Sequence, residues 1–185
     1  MATRKSHNNG VLMRIIDLSQ PLQSGMRVYP GDPAVDIKVV QDRAESGWEL
    51  RALSMGSHTG THVDAFSHAH ATGKNLDEIP LNRFIGKAIC ISASQTLPVE
   101  IGLIFNEHIV LSQLKNILKI SPPFVGGPSL DEDLERELLG NEILTFDGLT
   151  NLDELPLGDP FTFCGLPLKI TDGDGSPIRA VAMFD

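Results

Sequence analysis

The apolar residues of this chain occur in short runs that are repeatedly interrupted by glycine and proline. The 185 residues include 17 glycines and 12 prolines, which leaves little room for long helices. Residues 35–40 and 48–55 alternate apolar and polar side chains, as strands with one buried face do, and residues 86–92 indicate a buried strand. The pattern therefore predicts a β-rich fold with turns where glycine and proline cluster. Further strands are predicted at residues 14–19, 142–146, 160–170 and 178–184, and turns at residues 29–33, 72–75 and 172–175.

Two segments predict helices. Residues 106–118 place apolar side chains at helical spacing. Ser129 and Glu132 fit a capping box, in which the serine oxygen and the glutamate carboxylate satisfy free amides of the first turn. This second helix should run to Leu139, with Gly140 as its C-terminal stop. A few short helices among many strands give a β-rich α/β fold class.

Length and charge indicate one acidic domain. Residues 14–185 are enough for a single core, and residues 1–13, of which residues 1–10 are polar, are predicted to be a disordered leader. The net charge of −9 argues against a nucleic-acid partner, because neutralising phosphates needs clustered lysine and arginine. No signal-peptide pattern and no run of ~18 apolar residues occurs, so we expect a cytoplasmic protein without a membrane partner. Cys90 and Cys164 have apolar neighbours, which favours buried free thiols over the alternative of a disulfide.

Four of the six histidines lie within thirteen residues, at positions 58, 62, 68 and 70. Together with Asp64 they all occupy even positions, so in an extended chain they would point to one side. Imidazoles and carboxylates suit borderline divalent metals, and catalytic sites commonly use about three such ligands. His58, His62 and Asp64 supply that set, while Gly60 and its β-branched neighbours disfavour a helix. The alternative is a polar loop with scattered histidines.

Neighbouring residues receive supporting roles. His68 is assigned as the acid/base in preference to a fourth ligand, because an unligated imidazole can move protons at neutral pH. Gly60 either allows a special dihedral near the metal or forms an ordinary bulge. Thr61 either orients a ligand or only favours a strand. His70 is expected to be exposed, and His108 to be structural or exposed.

This stretch resembles the signature of the cyclase family of metal-dependent hydrolases, which includes bacterial kynurenine formamidases and isatin hydrolases. The family pattern is His-x-Gly-Thr-His-x-Asp-x-Pro-x-His, and residues 58–68 match it except that Phe66 replaces the proline. Supporting segments follow in the family's order over residues 14–183. They include residues 17–22, 28–33, 77–81, 149–156 and 174–181.

The resemblance implies a swivelling β/β/α fold that assembles as dimers or tetramers. It implies one or two zinc or manganese ions, with His58, His62 and Asp64 as ligands and His68 as the acid/base. The implied reaction is hydrolysis of an amide or lactam C–N bond. An example is the conversion of N-formylkynurenine to kynurenine and formate in tryptophan catabolism.

The second half of the chain departs from the family pattern. Glu135 and Asp147 occupy the slots in which the family usually places a histidine and a glutamate for a second metal. Both are oxygen donors, so they are candidate ligands of a second ion. The alternatives are that Glu135 is one more acid on a solvated helix and that Asp147 belongs to a turn with Gly148. One metal site is therefore expected, and the second stays open.

Two hypotheses of function follow. The first is a metal-dependent amidohydrolase of the arylformamidase type that acts on a small amide or lactam. The second is a catalytically degenerate metal-binding or ligand-binding subunit of the same fold. It is motivated by the altered residues and by a segment, residues 94–128, that is shorter than the family's usual middle.

Overall fold

The computed structural model describes residues 13–184, so the leader predicted at residues 1–13 lies outside them except for Met13. Within the described residues, nine strands form one curled mixed sheet and two form a separate antiparallel pair. The predicted β-rich α/β class is therefore confirmed. The strands are β1 (Arg14–Asp17), β2 (Asp36–Gln41), β3 (Leu50–Ser54), β4 (His62–Asp64), β5 (Ile85–Ile91), β6 (Gly102–Phe105), β7 (Phe124–Gly126), β8 (Leu144–Asp147), β9 (Pro160–Cys164), β10 (Gly175–Pro177) and β11 (Val181–Phe184).

The large sheet has the strand order β1-β11-β9-β5-β6-β7-β8-β4-β10. Its middle strands β5 to β8 run parallel and the other pairs are antiparallel. All of β6 is buried, with Ile104 in one apolar cluster and Leu103 and Phe105 in another. Burial on both faces is the usual condition of parallel strands. The strands β4 and β10 extend the sheet beyond β8, and β4 carries part of the predicted site.

Three α-helices accompany the sheets in residues 13–184, namely α1 (Arg43–Ser46), α2 (Leu114–Ile120) and α3 (Glu132–Gly140). The prediction of a helix over residues 106–118 is wrong at its start, because α2 begins at Leu114 after a 3₁₀ turn, Leu111–Gln113. Ile109 instead forms a parallel bridge with Leu130, and its amide donates to the carbonyl of Ser129. This pairing keeps the chain extended where local spacing suggested a helix.

The N-terminus of α3 differs from the prediction in its capping residue. Asp131 is the N-cap, and its carboxylate accepts from the amides of Asp133 and Leu134. Ser129 accepts or donates a hydrogen bond with His108 instead, at 2.8 Å. Because the bridge to Ile109 holds Leu130 extended, the helix begins two residues later than a cap at Ser129 would allow.

The predicted strands at the C-terminal end are shorter than expected. The strand predicted at 160–170 ends at Cys164, and the strand predicted at 178–184 begins at Val181. Cys90 lies buried in β5 and Cys164 is half-buried, and both are free thiols. Among residues 13–184, no helix has the length and apolar character that crossing a membrane requires.

Candidate metal centre

The strand β4 is the base of the site. His62 and Asp64 lie on one side of it, while Val63 between them is fully buried in the core on the other side. The prediction of one extended segment from residue 58 to residue 70 is wrong outside these three residues. His58 lies in a turn before β4, and His68 ends a 3₁₀ turn, Phe66–His68, after it.

The buried carboxylate of Asp64 is the centre of the polar contacts. Its side chain is 1% exposed. Its Oδ1 lies 2.6 Å from Nδ1 of His58, and its Oδ2 accepts a hydrogen bond of 2.9 Å from Oγ1 of Thr145 on β8. Burial alone would raise the pKa of Asp64, but the neighbouring His62 and His58 hold it well below the usual range. Asp64 is therefore an anion inside the protein, which a cation would stabilise.

His62 is held in one tautomer by the backbone. Its Nδ1 lies 2.8 Å from the carbonyl oxygen of Gly60, which can only accept, so Nδ1 carries the hydrogen. The lone pair therefore belongs to Nε2, which lies 3.5 Å from Oδ1 of Asp64. A histidine that donates its Nδ1–H to a carbonyl oxygen and turns the lone pair of Nε2 toward a carboxylate is arranged to share a metal ion with that carboxylate.

Gly60 and Thr61 shape the approach to β4. Gly60 has φ +65°, a left-handed conformation that favours glycine, and a Cβ there would come within 3.2 Å of Leu22. Thr61 is buried, donates to the carbonyl of Gly148 at 2.6 Å and accepts from the amide of Gln20 at 2.9 Å. These contacts fix the chain between His58 and His62 against the residue that follows β8 and the segment that follows β1.

His68 lies closer to the centre than its position in the sequence indicated. Its ring centroid is 3.8 Å from that of His58. One ligand atom from each of His58, Asp64 and His68 can be chosen so that all lie within 4.8 Å of one another. The structure thus brings His68 into the donor cluster beside His58 and Asp64, with His62 next to Asp64. The division of roles between His62 and His68 stays a prediction.

Glu135 and Asp147 reach the same cavity from α3 and β8. In the register of β4 and β8, His62 pairs with Asp147. Oε1 of Glu135 and Oδ1 of Asp147 are buried and have no hydrogen-bond partner among residues 13–184. Glu135 is therefore not the solvated helix acid of the alternative interpretation, and Asp147 ends a strand in place of occupying a turn.

The carboxylates of this cluster repel one another. Burial, together with the charges of Asp64 and Asp147, raises the pKa of Glu135 to about 10. Burial also raises the pKa of Asp147. Buried carboxyl oxygens without partners, next to an ionised carboxylate and two imidazoles, fit a divalent cation, which would replace the proton.

His58 is held between two acids. Burial alone would lower its pKa, but the hydrogen bond and charge of Asp64, with a further contribution from Asp174, raise it to about 9. Asp174 was predicted only as part of a turn. Its Oδ2 lies 3.0 Å from Nε2 of His58 and 3.4 Å from Nδ1 of His68. The one signal for it in the sequence was that its segment belongs to the family-like ending.

The site lies in a cavity of about 830 Å³. Its polar outer wall includes Arg27 and Tyr29 from the loop before β2, and Arg136 from α3. The hydroxyl of Tyr29 donates to Oε1 of Glu132 at 2.6 Å, which joins that loop to the helix. A cavity of this size accommodates a small organic substrate.

Other residues of the histidine stretch face away from the centre. Phe66, which stands in the proline position of the motif, is buried in the core with the guanidinium of Arg83 over its ring. His70 was expected to be exposed but is half-buried, with Nε2 2.8 Å from the carbonyl of Arg136.

The chain is similar to known proteins along most of its length. A family model named Cyclase, described as "Putative cyclase", matches residues 16–118. Kynurenine formamidase of Salinibacter ruber is 29% identical, and the match covers 91% of this chain and 97% of that protein. Kynurenine formamidase of Geobacillus thermodenitrificans is 30% identical, with 89% of this chain and 95% of that protein covered.

Solved structures share the fold. Isatin hydrolase A from Ralstonia solanacearum has a TM-score of 0.79 at 19% identity, covering 94% of this chain and 92% of that chain. A potential metal-dependent hydrolase with cyclase activity has a TM-score of 0.75 at 20% identity, covering 92% of this chain and 98% of that chain. The matched family segment contains the whole histidine motif and more than half of the chain. This chain therefore belongs to the cyclase family of metal-dependent hydrolases.

Proposed function

We propose that this protein hydrolyses the C–N bond of a small amide, formamide or lactam at a divalent-metal centre. The observation that carries the proposal is the convergence of two imidazoles on the buried Asp64 carboxylate. Nδ1 of His58 is 2.6 Å and Nε2 of His62 is 3.5 Å from the same oxygen. Two nitrogens and one carboxylate form a ligand set of catalytic zinc and of related ions.

His58, His62 and Asp64 would hold the ion, which we propose is Zn²⁺ or Mn²⁺. When bound, such an ion activates water and polarises the carbonyl of the substrate. Thr145 holds Asp64 from behind, and Gly60 fixes the tautomer of His62. These contacts keep the donors in place, which is how partners of metal ligands support a site.

His68 would serve as the acid/base. Its side chain is 40% exposed, so it can reach both the inner donors and a substrate in the cavity. With a hydrogen on Nδ1 directed to Asp174, its Nε2 can take a proton from water and return it to the leaving nitrogen.

The relatives are formamidases and isatin hydrolases by name, which supports an amide of that kind as the substrate. Kynurenine formamidases match this chain over nearly their whole length, and isatin hydrolases share its fold. We therefore propose N-formylkynurenine or a related arylformamide or lactam as the substrate, with a place in tryptophan catabolism. The cavity of about 830 Å³ is large enough for such molecules.

A second ion is proposed between Asp64, Glu135 and Asp147. The partnerless buried oxygens of Glu135 and Asp147 support it. This second site offers only carboxylate oxygens, in contrast to the imidazole-rich first site. Hard ions such as Mn²⁺ prefer such donors, so we expect manganese to occupy it more readily than zinc.

A homodimer or homotetramer is proposed from the separate two-stranded sheet of β2 and β3. Every residue of β3 is exposed, and Val39, Leu53 and the nearby Trp48 are 49%, 60% and 76% exposed. A two-stranded sheet is marginally stable by itself, so a second copy covering this apolar surface would stabilise it. Cytoplasmic location and a lack of nucleic-acid and membrane partners stay predictions.

The test is metal-dependent turnover on a panel of N-formylkynurenine, simple formamides and lactams. The wild-type protein loaded with zinc or manganese should hydrolyse at least one of them, and chelator should abolish the rate. His68→Ala provides the control for background hydrolysis by bound metal. Metal binding without turnover on any member of the panel would favour the alternative of a catalytically degenerate metal-binding or ligand-binding subunit.

A further inference from the structure

Asp174 is fixed beside the site by backbone contacts on both sides. Its carbonyl accepts a hydrogen bond of 2.8 Å from the amide of Ala65, the residue after β4. The next residue, Gly175, pairs with Asp64 in the register of β4 and β10. The backbone of Asp174 is therefore held directly beside the strand that carries Asp64.

One oxygen of Asp174 contacts both histidines that flank β4. Its Oδ2 lies 3.0 Å from Nε2 of His58 and 3.4 Å from Nδ1 of His68. A carboxylate only accepts, so both of these nitrogens carry their hydrogen toward Asp174. Nδ1 of His58 faces the carboxylate of Asp64 and also carries a hydrogen, which a bound ion would displace, so Nδ1 is the nitrogen of His58 left to bind the ion. Nε2 of His68 is without a constraint from Asp174.

Gly175 makes this arrangement permissible. A Cβ at position 175 would overlap Cε1, Nδ1 and Nε2 of His58. The ring of His58 therefore lies directly against Gly175 of β10, and Oδ2 of Asp174 contacts its outer nitrogen, Nε2. Gly175 therefore leaves the space that the His58 ring occupies, and the contact of Asp174 with Nε2 fixes the orientation of that ring.

We propose that Asp174 is a positioning residue that sets the tautomers of His58 and His68 through its single Oδ2 atom. It directs Nδ1 of His58 toward the metal side of Asp64, and it keeps Nε2 of His68 as the proton acceptor. The inference rests on the proposed function for the role of His68. A carboxylate that accepts from the outer nitrogen of a metal-ligating histidine is a recurrent way to orient the ligand.

The first readout is the tautomer of His68, observed by two-dimensional ¹H–¹⁵N spectroscopy of zinc-loaded protein labelled at histidine. His68→Ala identifies the signal. In the wild type His68 should be in the Nδ1–H form, and in Asp174→Ala it should move to the Nε2–H form that free imidazole prefers. An unchanged Nδ1–H form in Asp174→Ala overturns the proposal, whatever the enzyme does to any substrate.

The second readout separates binding from turnover. Asp174→Ala should weaken zinc binding in a chelator competition and lower kcat, each by about 10- to 100-fold, with KM changed far less. Asp172→Asn, at an exposed position two residues before Asp174 with φ +54°, is the matched control and should leave both values unchanged. Asp174→Asn keeps the shape and an accepting oxygen, so it should fall between wild type and alanine even if the alanine variant folds poorly.

The outcomes distinguish this inference from the proposed function. Wild-type zinc affinity in Asp174→Ala overturns the positioning role, even in a protein that hydrolyses formamides. Weakened zinc binding and a changed His68 tautomer support it, even if no substrate of the panel is turned over.

Discussion

At the scale of single residues, the histidine motif could be predicted because its signal is local. Residues 58–68 carry the three proposed donors and the proposed acid/base within eleven positions, and their residue types alone indicate a metal. Asp174 could not be found in this way, because it comes to His58 from 116 residues away through the pairing of β10 with β4. The burial of Glu135 and Asp147 likewise depends on the packing of α3 and β8 around the same cavity.

The contact of His68 with His58 raises the question of which histidine is the ligand. We predict that His62→Ala weakens zinc binding, because it removes the Nε2 lone pair that faces Asp64. Loss of a residue that only supports a ligand typically costs about 10- to 100-fold in affinity, so loss of the ligand itself should cost at least as much. His68→Ala should keep zinc but lower kcat by about 10²- to 10⁴-fold, as loss of an acid/base does. Zinc content after dialysis, together with turnover, checks both.

The reverse pattern, with zinc retained in His62→Ala and lost in His68→Ala, would contradict the assignment. His108→Ala is the control, because His108 is exposed and bonded to Ser129.

The second ion gives another prediction for a single residue. Wild type should bind two equivalents of Mn²⁺, and Asp147→Ala should bind one, because the substitution removes a buried oxygen that has no partner in the described chain. Electron paramagnetic resonance of free Mn²⁺ in a titration measures the count. Asp159→Ala, an exposed acid, should leave two. One equivalent in the wild type would show that the second site does not form.

At the scale of elements, the pattern of apolar residues predicted where helices and strands lie better than it predicted where they begin and end. The alternation at residues 48–55 became β3, and the predicted helix near residue 130 became α3. The start of α3 was misassigned because Ser129 and Asp131 are both good caps, and only the bridge between Ile109 and Leu130 decides between them. Local propensity carries no information on such pairing.

The cap of α3 can be tested by substitution. Asp131→Ala should lower the free energy of unfolding by about 1 kcal/mol, since two amides lose their acceptor. Ser129→Ala should change it by less than about 0.5 kcal/mol, because Ser129 is not the cap and loses only its hydrogen bond with the exposed His108. Urea unfolding of both variants makes the comparison. A larger cost at Ser129 than at Asp131 would return the cap to the position predicted from the sequence.

At the scale of the whole molecule, the β-rich α/β class followed from composition and pattern, but the strand order did not. The order that places β4 between β8 and β10 brings together segments from residues 58–68, 135–147 and 174. No pattern within a short stretch of sequence predicts that β4 pairs with both β8 and β10. The separate sheet of β2 and β3 was also not foreseen, although both of its strands were predicted.

The exposed surface of that sheet predicts an assembly. Leu53→Lys should shift the protein from dimer or tetramer toward monomer, because a charge would have to be buried in the apolar interface. Leu81→Lys is the matched control, since Leu81 is 68% exposed on another part of the molecule. Analytical ultracentrifugation gives the masses. A wild-type monomer, or equal effects of the two variants, would contradict an interface at this sheet.

The central claim is that the donors around Asp64 hold a metal on which amide hydrolysis depends. Its most direct test is to add Zn²⁺ or Mn²⁺ stepwise to metal-stripped protein and to measure bound metal and N-formylkynurenine hydrolysis in the same samples. We expect no turnover without metal and a rate that rises in proportion to the first equivalent bound. Full turnover in the stripped protein, or none after the site is filled, would contradict the account.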